Sequence, residues 1–408
     1  MKSAVIPRAN AISALPATSR STWIRLGVAA LCVASLAGCS TIKGWFGDDD
    51  DKATAPAELT EISPTATVTE IWSADIGKGE GLLGARQGPV AADGRVYAAA
   101  VDGGVQALDL QTGNTVWTYE TELRLSGGPG VGEGVVAVGS LNGDVIALDA
   151  ATGAEKWKAQ VSNEVIAAPA VGMGMVFVRS NDGRVTAFDA ATGERQWFWN
   201  HDVPTLSVRG NDAPVLGPGY LFIGNDDGTV SALAAQDGRP LWEQAIAQQE
   251  GRTELDRMAD VDGTPVLENT TLYATSFKGQ TMAIDAPSGQ PIWLSENGGP
   301  GQVAVAPSVV VVTEPGGTVF GLEKSGGSAL WQQPALARRN LTAPAIHGAY
   351  AVVGDYDGYL HWLDLGTGEF AARTRAGGDP LRATPVVADG ILLVQDIEGE
   401  LSAFRLGQ

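Results

Sequence analysis

The sequence predicts an all-β protein, an eight-bladed β-propeller of four-stranded antiparallel blades, because one pattern recurs eight times at a step of about 42 residues. Each copy has a Gly-containing turn, a Val-x-Ala-Leu-Asp-like strand, a Thr-Gly-like turn and then a Trp. A repeat of this length holds about four short strands and cannot bury both faces of its small sheet alone. We therefore expect eight sheets to stack into a closed ring. The turn glycines are Gly103, Gly143, Gly183, Gly228, Gly279, Gly317, Gly358 and Gly399.

Each repeat can be divided into four strands in order. An early Pro marks the inner strand, because the first residue of a strand need not donate an N–H to the sheet. A second apolar run follows, and an Asp-Gly or Asn-Gly turn supplies the positive φ of a tight hairpin. The third strand leads through the Thr-Gly turn into the Trp-bearing outer strand. The prolines are Pro89, Pro129, Pro169, Pro214, Pro265, Pro307, Pro344 and Pro385.

Two further columns of residues indicate how neighbouring blades pack. Small side chains four residues after the turn glycine would let blades approach closely; they are Ala107, Ala147, Ala187, Ala232, Ala283, Gly321 and Ala403. A Trp stands fourteen residues after the glycine at Trp117, Trp157, Trp197, Trp242, Trp293 and Trp331. One copy breaks both columns, with Trp362 in the first and Ala372 in the second. We expect one of these substitutions to compensate for the other.

The N-terminal part of the repeat region predicts how the ring closes. The eighth copy ends at Gln408, before its outer strand, and the missing Trp is supplied by Trp72 in Thr69-Glu70-Ile71-Trp72. We therefore predict one propeller domain over residues 67–408, whose last blade is completed by the N-terminal strand. Such closure removes exposed sheet edges.

The first 66 residues have the features of an export signal and a tether. Arg20 and Arg25 precede a short apolar run that ends in Leu-Ala-Gly-Cys39, which predicts a signal peptide over residues 1–38. This ending resembles a bacterial lipobox, which implies lipidation of Cys39; an ordinary signal peptide with a chance Cys is the alternative. Ser40 resembles the residue found after the Cys of outer-membrane-directed lipoproteins. Residues 39–66, acidic and then rich in Ala, Thr and Pro, are expected to be a flexible tether.

Composition limits the partners and the chemistry. A net charge of −20 argues against nucleic acid as a partner and against binding to anionic lipid without an anchor. The two cysteines are Cys32, in the signal, and Cys39, so we expect neither a disulfide nor a catalytic thiol. The three histidines fall in different repeats, and no spacing matches a metal site or a nucleophile. The recurring Asp109, Asp149, Asp189, Asp285 and Asp364 are interpreted as residues that stabilise turns.

The Trp-bearing repeat resembles that of pyrroloquinoline-quinone-dependent dehydrogenases, and this resemblance implies an enzyme as one alternative. Those enzymes resemble one another in a central Ca²⁺ and cofactor site and, in many, an adjacent Cys pair. The mature chain has no Cys pair. We therefore predict no catalytic residue, metal or cofactor, and keep a periplasmic quinoprotein dehydrogenase or ligand-binding propeller as the alternative.

Two long connections single out one face of the propeller. From the Trp of one copy to the Pro of the next, the usual distance is 12 to 14 residues, but it is 17 after Trp197 and 23 after Trp242. The distance after Trp72 is also 17. All these connections emerge on one face, so the two long loops of consecutive blades should lie side by side. Long loops on a rigid scaffold usually carry function; the alternative is that they are tolerated insertions.

Both loops also contain strings that resemble the BamB family, lipoprotein subunits of the outer-membrane β-barrel assembly machinery. The strings are Leu206-Ser207-Val208-Arg209-Gly210, Thr253-Glu254-Leu255-Asp256-Arg257 with Asp260-Val261-Asp262, and, elsewhere, residues 354–362. The resemblance covers the whole mature chain. It implies a non-enzymatic scaffold on the periplasmic face of the outer membrane that binds the POTRA domains of BamA and aids barrel insertion. Direct contact with unfolded outer-membrane clients stays open.

The same resemblance implies that BamA contacts fall within the two loops. Leu206 and Val208 alternate with Ser207, so an extended loop would point both the same way, beside Arg209. Asp260 and Asp262 also alternate and are expected to present two carboxylates to a basic patch. The alternative is that Arg209 pairs internally with one of these carboxylates and joins the two loops.

Overall fold

The computed structural model describes residues 55–206, 212–248 and 259–407, and all regular secondary structure in these ranges is β-strand. Its 32 strands form eight four-stranded antiparallel sheets, which confirms the predicted eight-bladed propeller. Within the same ranges, no helix is long and apolar enough to cross a membrane.

Strand β1 (Val68–Asp75) comes first, and each of blades 1 to 7 then contributes four consecutive strands from the inside outwards. Blades 1 and 2 are β2 (Val90–Ala92), β3 (Arg95–Ala100), β4 (Gly104–Asp109), β5 (Thr115–Tyr119), β6 (Gly130–Gly132), β7 (Val135–Gly139), β8 (Asp144–Asp149) and β9 (Glu155–Gln160). Blades 3 and 4 are β10 (Ala170–Gly172), β11 (Met175–Ser180), β12 (Arg184–Asp189), β13 (Arg195–Asn200), β14 (Val215–Gly217), β15 (Tyr220–Gly224), β16 (Thr229–Ala234) and β17 (Pro240–Ala245).

Blades 5 and 6 are β18 (Val266–Glu268), β19 (Thr271–Thr275), β20 (Thr281–Asp285), β21 (Pro291–Ser295), β22 (Ala304–Val305), β23 (Val309–Thr313), β24 (Val319–Glu323) and β25 (Ala329–Gln333). Blade 7 is β26 (Ala345–His347), β27 (Tyr350–Gly354), β28 (Tyr359–Asp364) and β29 (Phe370–Arg375). Blade 8 is β30 (Val386–Ala388), β31 (Ile391–Gln395), β32 (Glu400–Leu406) and the returning β1.

The prediction that a Pro marks each inner strand is correct in seven blades and wrong in blade 6. Seven inner strands begin directly after their Pro, fourteen residues before the turn glycine. Pro307 comes only ten residues before Gly317 and lies in the turn that follows β22. That turn is closed by the Ala306 N–H, which donates to the Val309 carbonyl at 2.8 Å. The inner strand of blade 6 therefore begins without a Pro.

Ring closure by the N-terminal strand is confirmed. β1 pairs antiparallel with β32 from Val68↔Leu406 to Asp75↔Glu400, so the last sheet has the order β1-β32-β31-β30. Trp72 is buried, and its indole N–H donates to the Leu110 carbonyl of blade 1 at 3.0 Å. The first and last parts of the described chain thus share one blade and dock together onto the next.

Each outer-strand Trp performs the same junction role around the ring. Its indole N–H donates to a backbone carbonyl of the following blade at 2.9–3.1 Å, from Trp117, Trp157, Trp197, Trp242, Trp293 and Trp331 as well as Trp72. Its ring covers the Thr-Gly-type turn glycine of that blade so closely that a methyl group there would clash. The covered glycines are Gly113, Gly153, Gly193, Gly238, Gly289, Gly327 and Gly368.

The exceptional seventh blade fits this rule. Blade 8 ends soon after β32 and has no Thr-Gly turn, so a Trp at position 372 would have no glycine to cover. Ala372 instead pairs across the sheet with Trp362, which is fully buried and meets the edge of the Phe404 ring of blade 8. The Trp362 indole donates to His347 Nδ1 at 3.2 Å. The two departures are therefore cross-strand neighbours, as the expectation of compensation required.

The expected tether is shorter than predicted. Residues 57–66 do not hang free but lie against blade 7, where the Thr65 and Ala66 N–H groups donate to the Ala371 carbonyl at 2.9 and 3.0 Å. Arg339 and Arg373 donate to the carbonyls of Ala57 and Thr60 at 3.1 and 2.7 Å. Guanidinium groups already held in the blade can bond successive carbonyls of an extended segment. Residues 1–54, including Cys39, lie outside the described residues.

Candidate partner-binding site

One face of the propeller carries every connection from an outer strand to the next inner strand, because each blade has four antiparallel strands. We call it the loop face. Most of these connections have 8 to 11 residues, but three have 14 or more. They are residues 201–214, between β13 and β14 (loop A); residues 246–265, between β17 and β18 (loop B); and residues 76–89, between β1 and β2 (loop C). Loops A and B flank blade 4, as the prediction of adjacent loops requires.

The predicted contact residues fall into three groups. Leu206, in loop A, is 43% exposed. Val208 and Arg209 lie outside the described residues, and so do residues 253–257 of loop B. Asp260 and Asp262 are only 1% and 2% exposed, so the expectation that loop B displays two carboxylates is wrong.

Loop A is anchored by an ion pair beneath its surface. Arg179, on β11, pairs with both Asp212 and Asp226, the latter at 2.8 Å, and all three side chains are buried. Asp212 also accepts the Gly224 N–H at 3.0 Å. The next residue, Ala213, donates its N–H to Thr264 Oγ1 of loop B at 2.9 Å. The C-terminal end of loop A is thus fixed to blades 3 and 4 and to loop B.

Backbone hydrogen bonds explain why the loop B carboxylates are covered. The Val261 N–H donates to the Asn225 carbonyl at 3.1 Å, and the Asp260 carbonyl accepts the Phe277 N–H at 2.8 Å. Val261 itself is buried in the core shared by blades 4 and 5. Because these bonds hold the segment against the blades, the side chains of Asp260 and Asp262 have no route to solvent. Sequence alternation alone carries no information about this tertiary docking.

Asp262 has an unusual electrostatic environment. Among the described residues, neither of its carboxylate oxygens has a hydrogen-bond donor. Burial raises its pKa from 3.8 to about 7, an effect that the Asp260 and Asp226 carboxylates reinforce and Arg86 and Arg179 oppose. Asp262 therefore holds a proton at pH values where an exposed Asp would be ionised.

A cavity of about 610 Å³ lies at the centre of the ring, lined by residues from all eight blades. Its polar lining includes Arg86, Asp262, Glu314, Asn340 and Arg382. Burial raises the pKa of Glu314. Within the described residues, no group of three or more His, Cys, Asp and Glu side chains is placed to hold a metal ion.

The third string, residues 354–362, has a structural role in the described protein. Its Asp355 carboxylate accepts hydrogen bonds from Arg339 at 2.6 Å and from His361 at 2.9 Å, and all three side chains are buried. Burial acts to raise the pKa of Asp355, but these bonds outweigh it and lower the pKa. Burial lowers the pKa of His361, whose Nδ1 accepts a hydrogen bond from Arg373 at 3.0 Å. Arg339 and Arg373 are the two residues that hold the segment 57–66.

The five recurring aspartates stabilise turns, as interpreted from sequence. Asp109 shows the pattern: its carboxylate accepts the Gln111 and Thr112 N–H groups at 3.1 and 2.9 Å, and the Thr112 hydroxyl at 2.8 Å. The Thr112 hydroxyl and N–H lower the pKa of Asp109. Equivalent bonds occur at Asp149, Asp189, Asp285 and Asp364.

Comparison with known sequences identifies relatives that match this chain along nearly its whole length. The profile of the family described as outer membrane protein assembly factor BamB matches residues 53–124, 111–333 and 315–406. The chain is 61% identical to outer membrane protein assembly factor BamB of Xanthomonas campestris pv. campestris, over 94% of this chain and 98% of that protein. Identity to the proteins of the same name from Pseudomonas aeruginosa and Escherichia coli is 41% and 35%, covering 94% and 90% of this chain and 99% and 95% of those proteins.

Solved structures show the same fold in two groups of proteins. BamB from Moraxella catarrhalis superposes with a TM-score of 0.76 at 27% identity, over 83% of this chain and all of that one. A quinohemoprotein alcohol dehydrogenase from Comamonas testosteroni superposes with a TM-score of 0.66 at 17% identity, over 83% of this chain and 76% of that one. The second likeness shows the fold alone.

Proposed function

We propose a function from one premise: the chain belongs to the family of outer membrane protein assembly factor BamB. On that premise it takes part in the outer-membrane assembly machinery as a scaffold without catalytic activity. The observation that carries the proposal is the 61% identity to a named assembly factor over almost the full length of both chains. The dehydrogenase alternative has weaker support, because it rests on a likeness of 17% identity.

The proposed location follows from the N-terminus. A lipid on Cys39 would hold the protein at the periplasmic face of the outer membrane. Residues 57–66 are bound to blade 7, so the free length of the tether is about 17 residues rather than the 27 first expected. Fully extended, 17 residues reach roughly 60 Å.

The proposed partner is the POTRA region of BamA, bound through loops A and B. Leu206, Val208 and Arg209 would form the direct contact, a small apolar anchor beside a charge. The ends of both loops are fixed by Asp212, Ala213 and Val261, so little conformational freedom would be lost when the partner binds. Asp260 and Asp262 would contribute from beneath, by setting the position and charge of loop B.

One experiment tests the anchor and the partner site together. Cys39→Ala should release the protein from outer membranes into a soluble periplasmic fraction, because acyl chains supply the membrane affinity. In that soluble protein, Leu206→Glu should reduce binding to purified BamA POTRA domains about tenfold or more, because it places a charge at the apolar anchor. The matched control is Leu330→Glu, which changes a 54% exposed Leu on the outer strand β25.

The outcomes separate contact from support. Leu206→Glu and Leu330→Glu should both melt near the temperature of the parent protein, because both side chains are at the surface. Asp260→Lys combined with Asp262→Lys should lower both the melting temperature and binding, because it buries two ammonium groups. Normal BamA binding by Leu206→Glu would place the site elsewhere on the molecule.

A further inference from the structure

Loop C displays the most exposed large apolar side chain of the described residues. Leu82 is 91% exposed, whereas the next such residue reaches 54%. It lies between Gly81 and Gly84, whose φ values of 52° and 70° belong to the left-handed region. These glycines turn the chain outwards on either side of Leu82 and its neighbour Leu83.

The base of loop C is held firmly by blade 8. The Gly79 and Gly81 N–H groups donate to the Glu398 and Ile397 carbonyls at 2.9 and 2.8 Å. Arg382 donates to the Gly81 carbonyl at 2.9 Å, and the Leu83 N–H closes a turn onto the Glu80 carbonyl at 3.0 Å. Leu82 is therefore displayed on a fixed turn, which lowers the entropy lost when a partner covers it.

Loop C borders the same central cavity as loops A and B. Leu83 and Arg86 of loop C line it together with Ala213 of loop A and Asp262 of loop B. Arg86 is near enough to Asp262 to lower its pKa. The three long loops thus surround one opening on the loop face.

The surroundings of Leu82 favour a protein rather than a membrane as its occupant. A cleft of about 420 Å³ lies beside Leu82, and Lys78, Asp102, Arg124 and Glu398 line it. An apolar centre with a rim of both charge signs is typical of protein interfaces. An anionic lipid surface would instead be opposed by the net charge of −20.

We propose that loop C is a second contact, centred on Leu82, for the protein that binds loops A and B. This inference rests on the proposed function, since it takes the partner from there. The partner would lie across the mouth of the central cavity and place a shallow apolar surface over Leu82. It would set mixed polar groups against Lys78 and Glu398.

Site-specific photo-crosslinking in the full-length protein in its own membrane tests the proposal. A benzoylphenylalanine residue replaces Leu82, Leu206 or the control Leu330 in separate variants. Positions 82 and 206 should crosslink to the same protein, and position 330 should not. A crosslink from 206 without one from 82 overturns the second contact and leaves the proposed function standing. Absence of a BamA crosslink from 206 counts against the proposed function itself, and a crosslink from 82 only to lipid or to a second copy overturns the inference.

A binding measurement gives an independent readout. Leu82→Ser should weaken affinity for BamA POTRA domains about fivefold to tenfold, while Leu330→Ser should leave it unchanged. Both variants should melt with the parent protein, because neither side chain belongs to the core. Equal affinity of Leu82→Ser and the parent protein would contradict the proposal, whatever Leu206→Glu does.

Discussion

At the scale of single residues, the buried charges distinguish this propeller from a generic repeat. Arg179 pairs with Asp212 and Asp226, while Asp260 and Asp262 lie buried nearby. A buried carboxylate is tolerated when it is paired or when it takes up a proton. Arg179 supplies the first solution, and the raised pKa of Asp262 indicates the second. The loops of the proposed partner site are therefore built over groups whose charge is pH-dependent.

The Asp262 carboxyl predicts a specific pH dependence of stability. Its pKa is about 7 in the folded protein and near 3.8 when unfolded, so folding favours the protonated form. Its stabilising effect is fully present below about pH 4 and is lost as the pH rises through 7. Asp262→Asn removes this dependence. Relative to the parent, the variant should gain on the order of 2–4 kcal/mol between pH 5 and pH 8.

Melting curves at pH 5 and pH 8 measure this difference. The charged groups that act on Asp262 are Arg86, Arg179, Asp226 and Asp260, and all of them remain in the variant. Asp109→Asn is the control, because Asp109 is an exposed turn residue. A constant stability difference between Asp262→Asn and the parent at all pH values would show that Asp262 does not titrate in this range.

At the scale of elements, the junction between blades is a Trp ring laid on a glycine. The periodic spacing predicted the Trp column, the small-residue column and the turn glycines, because those constraints repeat in every blade. The same spacing could not predict Pro307, which departs from the period, or the inward direction of Asp260 and Asp262. Those depend on contacts made once in the molecule. Ala372 became intelligible only when blade 8 was seen to lack the glycine that a Trp would cover.

A pair of glycine substitutions isolates the docking of Trp onto the next blade. Gly153 and Gly134 have φ values of 73° and 76°, so Ala at either costs about 1 kcal/mol for the left-handed backbone. A methyl group at Gly153 would also lie 2.6 Å from the Trp117 ring, while the space around Gly134 is open. Gly153→Ala should therefore lose about 1–3 kcal/mol more than Gly134→Ala. Equal losses in chemical denaturation would mean that the ring shifts aside without cost.

At the scale of the whole molecule, the ring is held by contacts between distant parts of the sequence. β1 joins β32, and residues 57–66 bind blade 7. The closure was predictable because the eighth repeat lacks its Trp and Trp72 stands outside the other repeats. The binding of residues 57–66 was not, because an Ala-, Thr- and Pro-rich composition is also that of a free linker and the arginines that hold it are some 280 residues or more away.

Two truncations test whether β1 closes the ring. One lacks all residues through Thr65 and keeps β1, and the other lacks all residues through Ser73. Both lose the contacts of residues 57–65 with blade 7, so they differ mainly in β1. Without β1, β32 becomes an exposed edge, the Leu110 carbonyl loses the Trp72 indole, and Gly113 loses its covering ring.

The shorter protein should melt roughly ten degrees or more below the longer one, at about 2–4 °C for each kcal/mol lost. It should also associate through the exposed edge of blade 8, which light scattering would detect. The longer truncation should stay monomeric and melt only slightly below the intact propeller, because residues 57–65 add few contacts to an already closed ring. If the two truncated proteins melt together, β1 is an accessory strand, and the seven other Trp-type and cross-strand junctions suffice to hold the ring.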